Sequence, residues 1–329
     1  MLNLLYIAHG SNDFADDMHF IGLHKFLKSF NVYFAVSDST FGKPETIYDR
    51  HMEYGWKDNW IRCANLYKEV DYNIKYDICI IGQVWKENQA LFLELKHLLS
   101  PDAKVILVDS TDDLGPQIPV TITGPYYYFK NNIVADFDRG PYIPFSCPYE
   151  IYEKENIEPI KYEINCQLGS THGLRPITVQ AVLSSAQRLG VEEKSLIGLF
   201  KGTDPIIGSS PRTPTKDYWN VLDQSRMIIH ERGCGLDAFR FWEAMATGNF
   251  VLCSPHNLFR INNMPTTENI VFWNYYDDLD RIIEWILSIP EDQIIQMRKR
   301  VKQQVEEWHA PHRRLEKIFR VLEIPYIIS

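Results

Sequence analysis

Between His230 and Pro255 the chain reads HERGCGLDAFRFWEAMATGNFVLCSP, and its charged residues are spaced for chemistry. Asp237, Arg240 and Glu243 recur every third residue, so a helix beginning near Asp237 carries all three on one face. In that helix Asp237 is the N-cap, Phe241, Ala244 and Met245 supply the packing, and Gly248 ends it as a C′ residue. Gly233 and Gly235 come just before it, where a missing Cβ lets backbone amides approach a ligand and the helix N-terminus offers positive charge to phosphate oxygens. Phosphate held there, with a carboxylate reaching ribose hydroxyls, is what a nucleotide site requires. Three charges at this spacing also suit a surface ion-pair ladder. The glycines before the helix, the glycine after it and the strand that follows favour the site.

A site of this kind must be positioned by a sheet. LNLLYIAH, VYFAVSD, YDICIIG and AKVILVDS in the first half are short, apolar and rich in β-branched residues, and so read as buried parallel strands. MHFIGLHKFLKSF and NQALFLELKHLLS between them have apolar residues at helical spacing. After Glu158 the alternation begins again with the strands YEINCQLG, SLIGLFKG, SRMIIHE, NFVLCSP and ENIVFW. The helices ITVQAVLSSAQRLG, DAFRFWEAMATG and LDRIIEWILSI lie among them, with a polar loop before SRMIIHE and one or two terminal helices over 290–322, broken near Pro311. Thr121 to Glu158, with GPYYYFK, DRGPYIPFSCP and YEKENIEP, loses its period and reads as a linker. Two Rossmann-like α/β domains follow, 1–158 and 159–329, with ligands expected at the carboxyl ends of their strands. His9-Gly10-Ser11, Asp38 and Asp109-Ser110 fall at such ends.

Composition fits this reading. A chain of 329 residues with 45% hydrophobic and 23% charged residues can bury two cores. A net charge of −9 argues against a protein built mainly to grip nucleic-acid backbone. The basic cluster in MRKRVK and HRRLEKIFR could face an anionic acceptor or a membrane surface, so peripheral membrane contact is open, but a solvated helix face balanced by Glu306, Glu307 and Glu316 is the simpler reading. The N-terminus has no basic region ahead of its apolar run and reads as a first strand, and no later run approaches a membrane span, so a cytoplasmic location is expected. The six cysteines have no metal-like spacing and read as reduced core thiols.

The string G-x-G-x-D-x-x-R-F-W-E-A-x-A-x-G resembles the donor-site segment of GT-B glycosyltransferases, near their spore-maturation-type and exostosin-like members. ENIVFW, DDLDRIIEWIL and RKRVKQQVEEWHAPHRRLEKI resemble the same family's closing pattern, and the likeness covers about residues 160–320. It implies a GT-B fold, two Rossmann-like domains facing a cleft with a C-terminal helix packing back towards the first, and transfer of a sugar from a nucleotide-sugar donor to a hydroxyl acceptor. That acceptor could be a glycan, lipid-linked sugar, protein or modified nucleobase. Residue by residue, Glu243 takes the place of the carboxylate that binds the ribose, while Arg240, Gly233 and Gly235 meet the diphosphate or sugar. Gly169, Ser170, Thr171 and Arg175 match the loop that opens the donor domain, and Lys201 could supply a cation. Retaining members carry Glu-x7-Glu; here Gly235 stands at the first position, Glu231 and Asp237 are the nearest acids, and Asp237 could substitute. Retention or inversion stays open.

GT-B enzymes resemble one another in needing no metal, and no cofactor is expected beyond the nucleotide-sugar substrate; Asp109, Asp112 and Asp113 in VDSTDDLG read better as a turn and helix cap. An inverting course needs a base in the first domain, for which His9, Asp13 and Asp109 are candidates. Lys130 and Arg139 could reach the donor phosphates, though a surface position suits each. A noncatalytic nucleotide-sugar or glycan-binding protein and a sugar-nucleotide epimerase are the alternative functions.

Overall fold

The computed structural model describes residues 1–8, 14–37, 62–109, 121–130, 157–201, 204–208, 210–214, 217–233, 239–254, 268–274 and 276–329. The chain forms two compact units, Met1–Pro148 with His309–Ser329, and Tyr149–Trp308. In the first, β1 (Leu2–Ala8), β2 (Phe30–Val36), β3 (Lys68–Glu69), β4 (Tyr76–Ile81), β5 (Leu99–Asp109) and β6 (Tyr127–Lys130) form one sheet in the order β3-β2-β1-β4-β5-β6. Every pairing in it is parallel. The central run Leu4–Ile7 is fully buried, as a strand covered on both faces must be. α1 (Phe14–Gly22) and α2 (Lys86–Leu95) lie among these strands in the chain. Strand β6 falls inside the stretch that reads as a linker. Its residues Tyr127, Tyr128 and Phe129 favour the extended pleat, and they pair with Ile106, Leu107 and Val108 of β5.

The second unit repeats the plan. β7 (Tyr162–Gly169), α3 (Leu174–Arg188), β8 (Leu196–Lys201), β9 (Asp204–Gly208), α4 (Tyr218–Asp223), β10 (Ser225–His230), α5 (Phe239–Ala246), β11 (Phe250–Cys253), β12 (Ile270–Phe272), α6 (Leu279–Ser288) and α7 (Glu291–His309) follow in order. The sheet runs β12-β11-β10-β7-β8-β9. Counted within each unit, both sheets place the first strand beside the fourth. The difference is β9, an edge strand antiparallel to β8, which occupies what reads as a polar loop. Its alternation is hidden because Asp204, Pro205 and Ile206 are all exposed.

Helix α5 ends as its sequence requires. Gly248 donates to the Met245 carbonyl at 2.9 Å and Asn249 to that of Ala244 at 3.3 Å, the paired bonds of a Schellman cap. Gly248 has φ +77°, and a Cβ there would lie 2.3 Å from the Arg298 carbonyl oxygen of α7. Arg298 is itself fully buried. Its Nη2 donates to the Asp223 carbonyl at 2.6 Å, to Asp223 Oδ1 at 2.8 Å and to the Thr247 carbonyl at 3.3 Å, tying α7 to the C-terminal ends of α4 and α5. Burial lowers the guanidinium to about 10, against the pull of Asp223, so it stays charged at neutral pH. Part of the basic tail is thus internal wiring, not a solvated face.

After α7 the chain returns to the first unit as α8 (Pro311–Val321), with Pro311 in its first turn. Leu315, Ile318 and Phe319 make its fully buried stripe. Phe319 meets Phe26 and Phe30 edge-on, each at 5.0 Å between ring centroids. A Cβ on Gly22 would lie 2.8 Å from the Pro311 carbonyl carbon, so α1 and α8 meet backbone to backbone. The Ser329 amide donates to the Lys25 carbonyl at 2.8 Å. His309–Ser329 therefore belong with the first unit, whereas a division at 158 puts every terminal helix in the second. Among the described residues Cys63, Cys79, Cys166 and Cys253 are buried thiols outside any disulfide.

Replacing Gly248 with alanine is expected to destabilise the second unit by about 2 kcal/mol or more, since the side chain meets both a left-handed backbone and the Arg298 carbonyl. Urea denaturation checks this.

Candidate functional site

In the second sheet β7 and β10 lie side by side while their chain connections leave in opposite directions, which opens a crevice at their carboxyl ends. Arg175, in the first turn of α3, spans that crevice. Its Nη1 donates to the Gly169 carbonyl at 2.8 Å at the end of β7; its Nε donates to the Arg232 carbonyl at 2.8 Å and its Nη2 to the Glu231 carbonyl at 3.3 Å beyond β10. The planar fork suits carbonyls arriving from two sides. A Cβ on Gly233 would lie 3.2 Å from Arg175 Nη2 and 4.0 Å from Thr171 Oγ1, and one on Gly169 3.6 Å from Arg175 Nη1. Gly169, Thr171, Arg175 and Gly233, distant in sequence, are thus one cluster.

The loop from β7 to α3 is built tightly. The Ser170 amide donates to the Phe200 carbonyl at 2.8 Å and the Thr171 amide to that of Gly169 at 2.9 Å. His172 accepts twice, from the Arg175 amide on its carbonyl at 3.2 Å and from the Leu174 amide on Nδ1 at 3.3 Å. Its imidazole is held below its ordinary pKa by burial and by the charges of Arg232 and Arg175. What the loop shows to solvent is the side chains of Ser170 and Thr171, beside the N-terminus of a 15-residue helix.

Glu231 lies directly below. It is fully buried, and both carboxylate oxygens are used. Oε2 accepts from the Thr178 hydroxyl at 2.9 Å; Oε1 accepts from the Ser254 hydroxyl at 2.9 Å and the Arg232 amide at 3.0 Å. The carboxylate joins α3, the end of β10 and the end of β11, which meets the requirement that a buried charge be hydrogen-bonded. A ligand reaching it would have to displace one of these donors. Sequence reasoning gave no sign of Thr178 or Ser254.

Arg240 and Glu243 share a face of α5, as their spacing predicts, but that face is not a solvent ladder. Glu243 is only 2% exposed and its Oε2 accepts from the Tyr218 hydroxyl of α4 at 2.5 Å. Burial raises its carboxyl to about 7, opposed by the Tyr218 hydrogen bond and the Arg240 charge. Arg240 Nη2 donates to Asn165 Oδ1 of β7 at 3.1 Å, and its guanidinium carbon sits 6.0 Å from the centre of the Tyr218 ring. His230, at the end of β10, is buried, and burial together with Arg240 and Arg175 lowers it to about 3, so it is neutral here.

The remaining expected residues fall elsewhere. Lys201 ends β8, exposed, in register with Asp204 across the hairpin. Gly235, Asp237, His9, Asp13, Asp112, Asp113 and Arg139 lie outside the described residues. Asp109, in the first unit, is fully buried at the end of β5; it accepts from Lys130 Nζ at 3.0 Å and from the Tyr128 hydroxyl, both on β6. Lys130 is therefore neither a surface charge nor held out for a phosphate. It neutralises Asp109, which could act as a base only by giving up that ion pair. Among the described residues no three His, Cys, Asp or Glu side chains gather as a metal site, and no helix is long and apolar enough to cross a membrane.

Solved structures share this fold over nearly the whole chain. A glycosyltransferase from Rickettsia africae ESF-5 is similar with a TM-score of 0.57 at 12% identity, over 98% of this chain and 98% of that one. An α-glucosyltransferase solved with UDP and a 13-mer DNA containing a central A:G mismatch is similar with a TM-score of 0.59 at 11% identity, over 98% of this chain and 100% of that one. The fold is GT-B. Protein-family models and curated sequences give no match to the chain. Within the GT-B fold the Arg175 cluster marks the strand-end crevice of the second unit.

Two outcomes are expected. Arg175→Ala, by stripping donors from three carbonyls, lowers stability by about 3 kcal/mol in urea, and Arg175→Lys, which lacks the fork, rescues little of it. Glu243 carries a carboxyl pKa above its unfolded value, so its ionisation opposes folding as pH rises from about 4.5 to about 7. Glu243→Gln therefore stabilises the fold relative to the parent at pH about 8 by on the order of 2 kcal/mol, and much less at pH about 4. Denaturation at the two pH values measures the difference.

Proposed function

We propose that the chain is a glycosyltransferase that moves a sugar from a nucleoside-diphosphate sugar to a hydroxyl acceptor. The observation that carries this reading is the gathering of Gly169, Thr171, Arg175 and Gly233 at the crevice between β7 and β10, with buried Glu243 on the helix that follows. The diphosphate lies at the exposed hydroxyls of Ser170 and Thr171 and the N-terminus of α3, whose dipole, with Arg232 and Lys201, offsets the charge that grows as the bond from the anomeric carbon to the phosphate oxygen breaks. Arg175 holds the carbonyls away from that charge by occupying them. Glu243 receives the ribose, and Asp237 is the acid that the sequence offers in place of the missing first glutamate.

UDP is the nucleotide to test first, because an α-glucosyltransferase that shares the fold was solved with UDP-glucose and DNA containing an abasic site, at a TM-score of 0.59 and 10% identity. DNA is not proposed as the acceptor here: at a net charge of −9, and with Arg298 buried and Arg313 and Arg320 both paired with Glu316, the chain is poorly suited to grip a polyanion. A glycan, lipid-linked sugar or protein hydroxyl fits better. If the anomeric centre inverts, the acceptor proton goes to His9 or Asp13 in preference to Asp109, which Lys130 already holds. No metal enters this course. The donor-site string supports a place near the spore-maturation-type and exostosin-like members.

A thermal-shift panel of UDP, GDP, ADP, TDP and CMP, followed by mass spectrometry with the matching sugar donor, tests the reading. At about a hundredfold excess over its dissociation constant the right nucleotide raises the melting temperature by about 5 to 10 °C. Failure of every nucleotide to bind, together with no slow hydrolysis of any nucleotide sugar, sinks it. Binding without turnover over a donor panel would point instead to a noncatalytic binding protein.

A further inference from the structure

Glu243 is held in an unusual way for a residue meant to receive a ligand. Its carboxylate is almost wholly out of water, yet among the described residues it has a single hydrogen-bond donor, the Tyr218 hydroxyl on Oε2 at 2.5 Å. Oε1 is left open. A buried carboxylate with one oxygen bonded and one open carries a desolvation penalty that the fold alone does not remove. Glu231 shows the contrast: it is as deeply buried, and its three donors satisfy both oxygens. One of the two carboxylates is finished and the other is waiting.

Tyr218 is well placed to keep it so. It starts α4, outside every motif, and its ring is flanked by the Arg240 guanidinium at 6.0 Å and by Trp219 at 5.4 Å, edge-on. Arg240 is in turn anchored on Asn165, and Asn165 Nδ2 donates to Ser225 Oγ at 3.3 Å, so the tyrosine is braced against β7 and β10. The bond to Glu243 therefore links α4 to α5 through a rigid ring and not through a flexible chain.

We propose that Tyr218 is a positioning residue for donor binding: by donating to Glu243 Oε2 it orients the carboxylate and leaves Oε1 as the acceptor for a ribose hydroxyl. This rests on the function proposed above. It has a consequence for pH, because only the ionised carboxylate accepts strongly and Glu243 ionises near neutrality, at about 7. Donor affinity then rises with pH through that value. The other groups around Glu243 do not imitate this. His230 on β10 is neutral, lowered to about 3; Cys166 on β7 is pushed up to about 12 and Cys253 on β11 is raised well above its ordinary value, so both remain thiols. Asp223 and Arg226, at either side of the α4–β10 turn, are paired with Arg298 and Glu163. His172, at the phosphate side, is lowered by burial and Arg232, and its deprotonation would weaken binding of an anion as pH rises, the opposite sign.

The test is calorimetric binding of UDP-glucose, whose diphosphate keeps a constant charge between pH about 5.5 and about 8.5, to the parent, Tyr218→Phe and Glu243→Gln. The parent is expected to bind more tightly as pH rises, with its midpoint near 7. Tyr218→Phe removes the bond that favours the ionised form, so its midpoint moves upward. It loses about threefold to tenfold at pH about 7 and recovers towards the parent at the alkaline end. Glu243→Gln binds weakly at every pH. A Tyr218→Phe curve that lies below the parent by a constant factor makes Tyr218 a packing residue and overturns the proposal. A flat parent curve overturns it as well, without reliance on any variant. If the parent binds neither UDP-glucose nor any other nucleoside-diphosphate sugar, the functional reading itself falls, which is a different result from a flat curve.

Discussion

Arg175 solves a problem created by the sheet. Where two parallel strands end side by side and their connections part, the last carbonyls have no neighbouring strand to accept from, and water or a ligand must satisfy them. A single guanidinium from α3 donates to three of these carbonyls, on Gly169, Glu231 and Arg232. The ends of β7 and β10 are thereby held at one separation, Gly233 is brought against Thr171, and the loops that would carry a ligand start from a fixed base. Without that fork the crevice would still exist topologically but its walls would have no set distance.

Around this clasp the second unit distributes its buried charges in two manners. Glu231, with Thr178, Ser254 and the Arg232 amide, is a closed network in which both carboxylate oxygens meet donors within the fold. Glu243 is open on one side and is pushed towards protonation by its own burial. A side chain that lowers the stability of the unit it belongs to is typical of positions kept for a ligand. In the first unit Asp109 with Lys130 and Tyr128 is of the closed kind, which is why its place at a strand end did not translate into availability.

Much of this was legible in the sequence, and the exceptions have physical causes. The long apolar runs gave their strands because burial on both faces leaves little choice of residue, and Gly248 announced the end of α5 because only a left-handed backbone passes Arg298 there. Strands β6 and β9 were hidden. The first is written in tyrosines amid prolines and glycines, the second is an exposed edge without alternation. Arg240 and Glu243 were legible as a pair but not the burial of Glu243, since spacing says which residues share a face and nothing about what covers it. Tyr218, Thr178 and Ser254 left no local trace, because their roles exist only across α4, α3 and β11. Arg175 was expected to meet a ligand; its donors to backbone carbonyls could be seen only once β7 and β10 lay side by side.

The return of the chain to its first unit has a bearing on how the protein comes into being. Phe26 and Phe30 are covered by Phe319, and Lys25 receives the Ser329 amide, so the first unit lacks part of its core until the last of these residues has been made. All of Tyr149–Trp308 precedes them. On the ribosome the order of completion is thus the reverse of the order of synthesis: the second unit has its full sequence available while the first, begun earlier, still waits with an aromatic surface exposed.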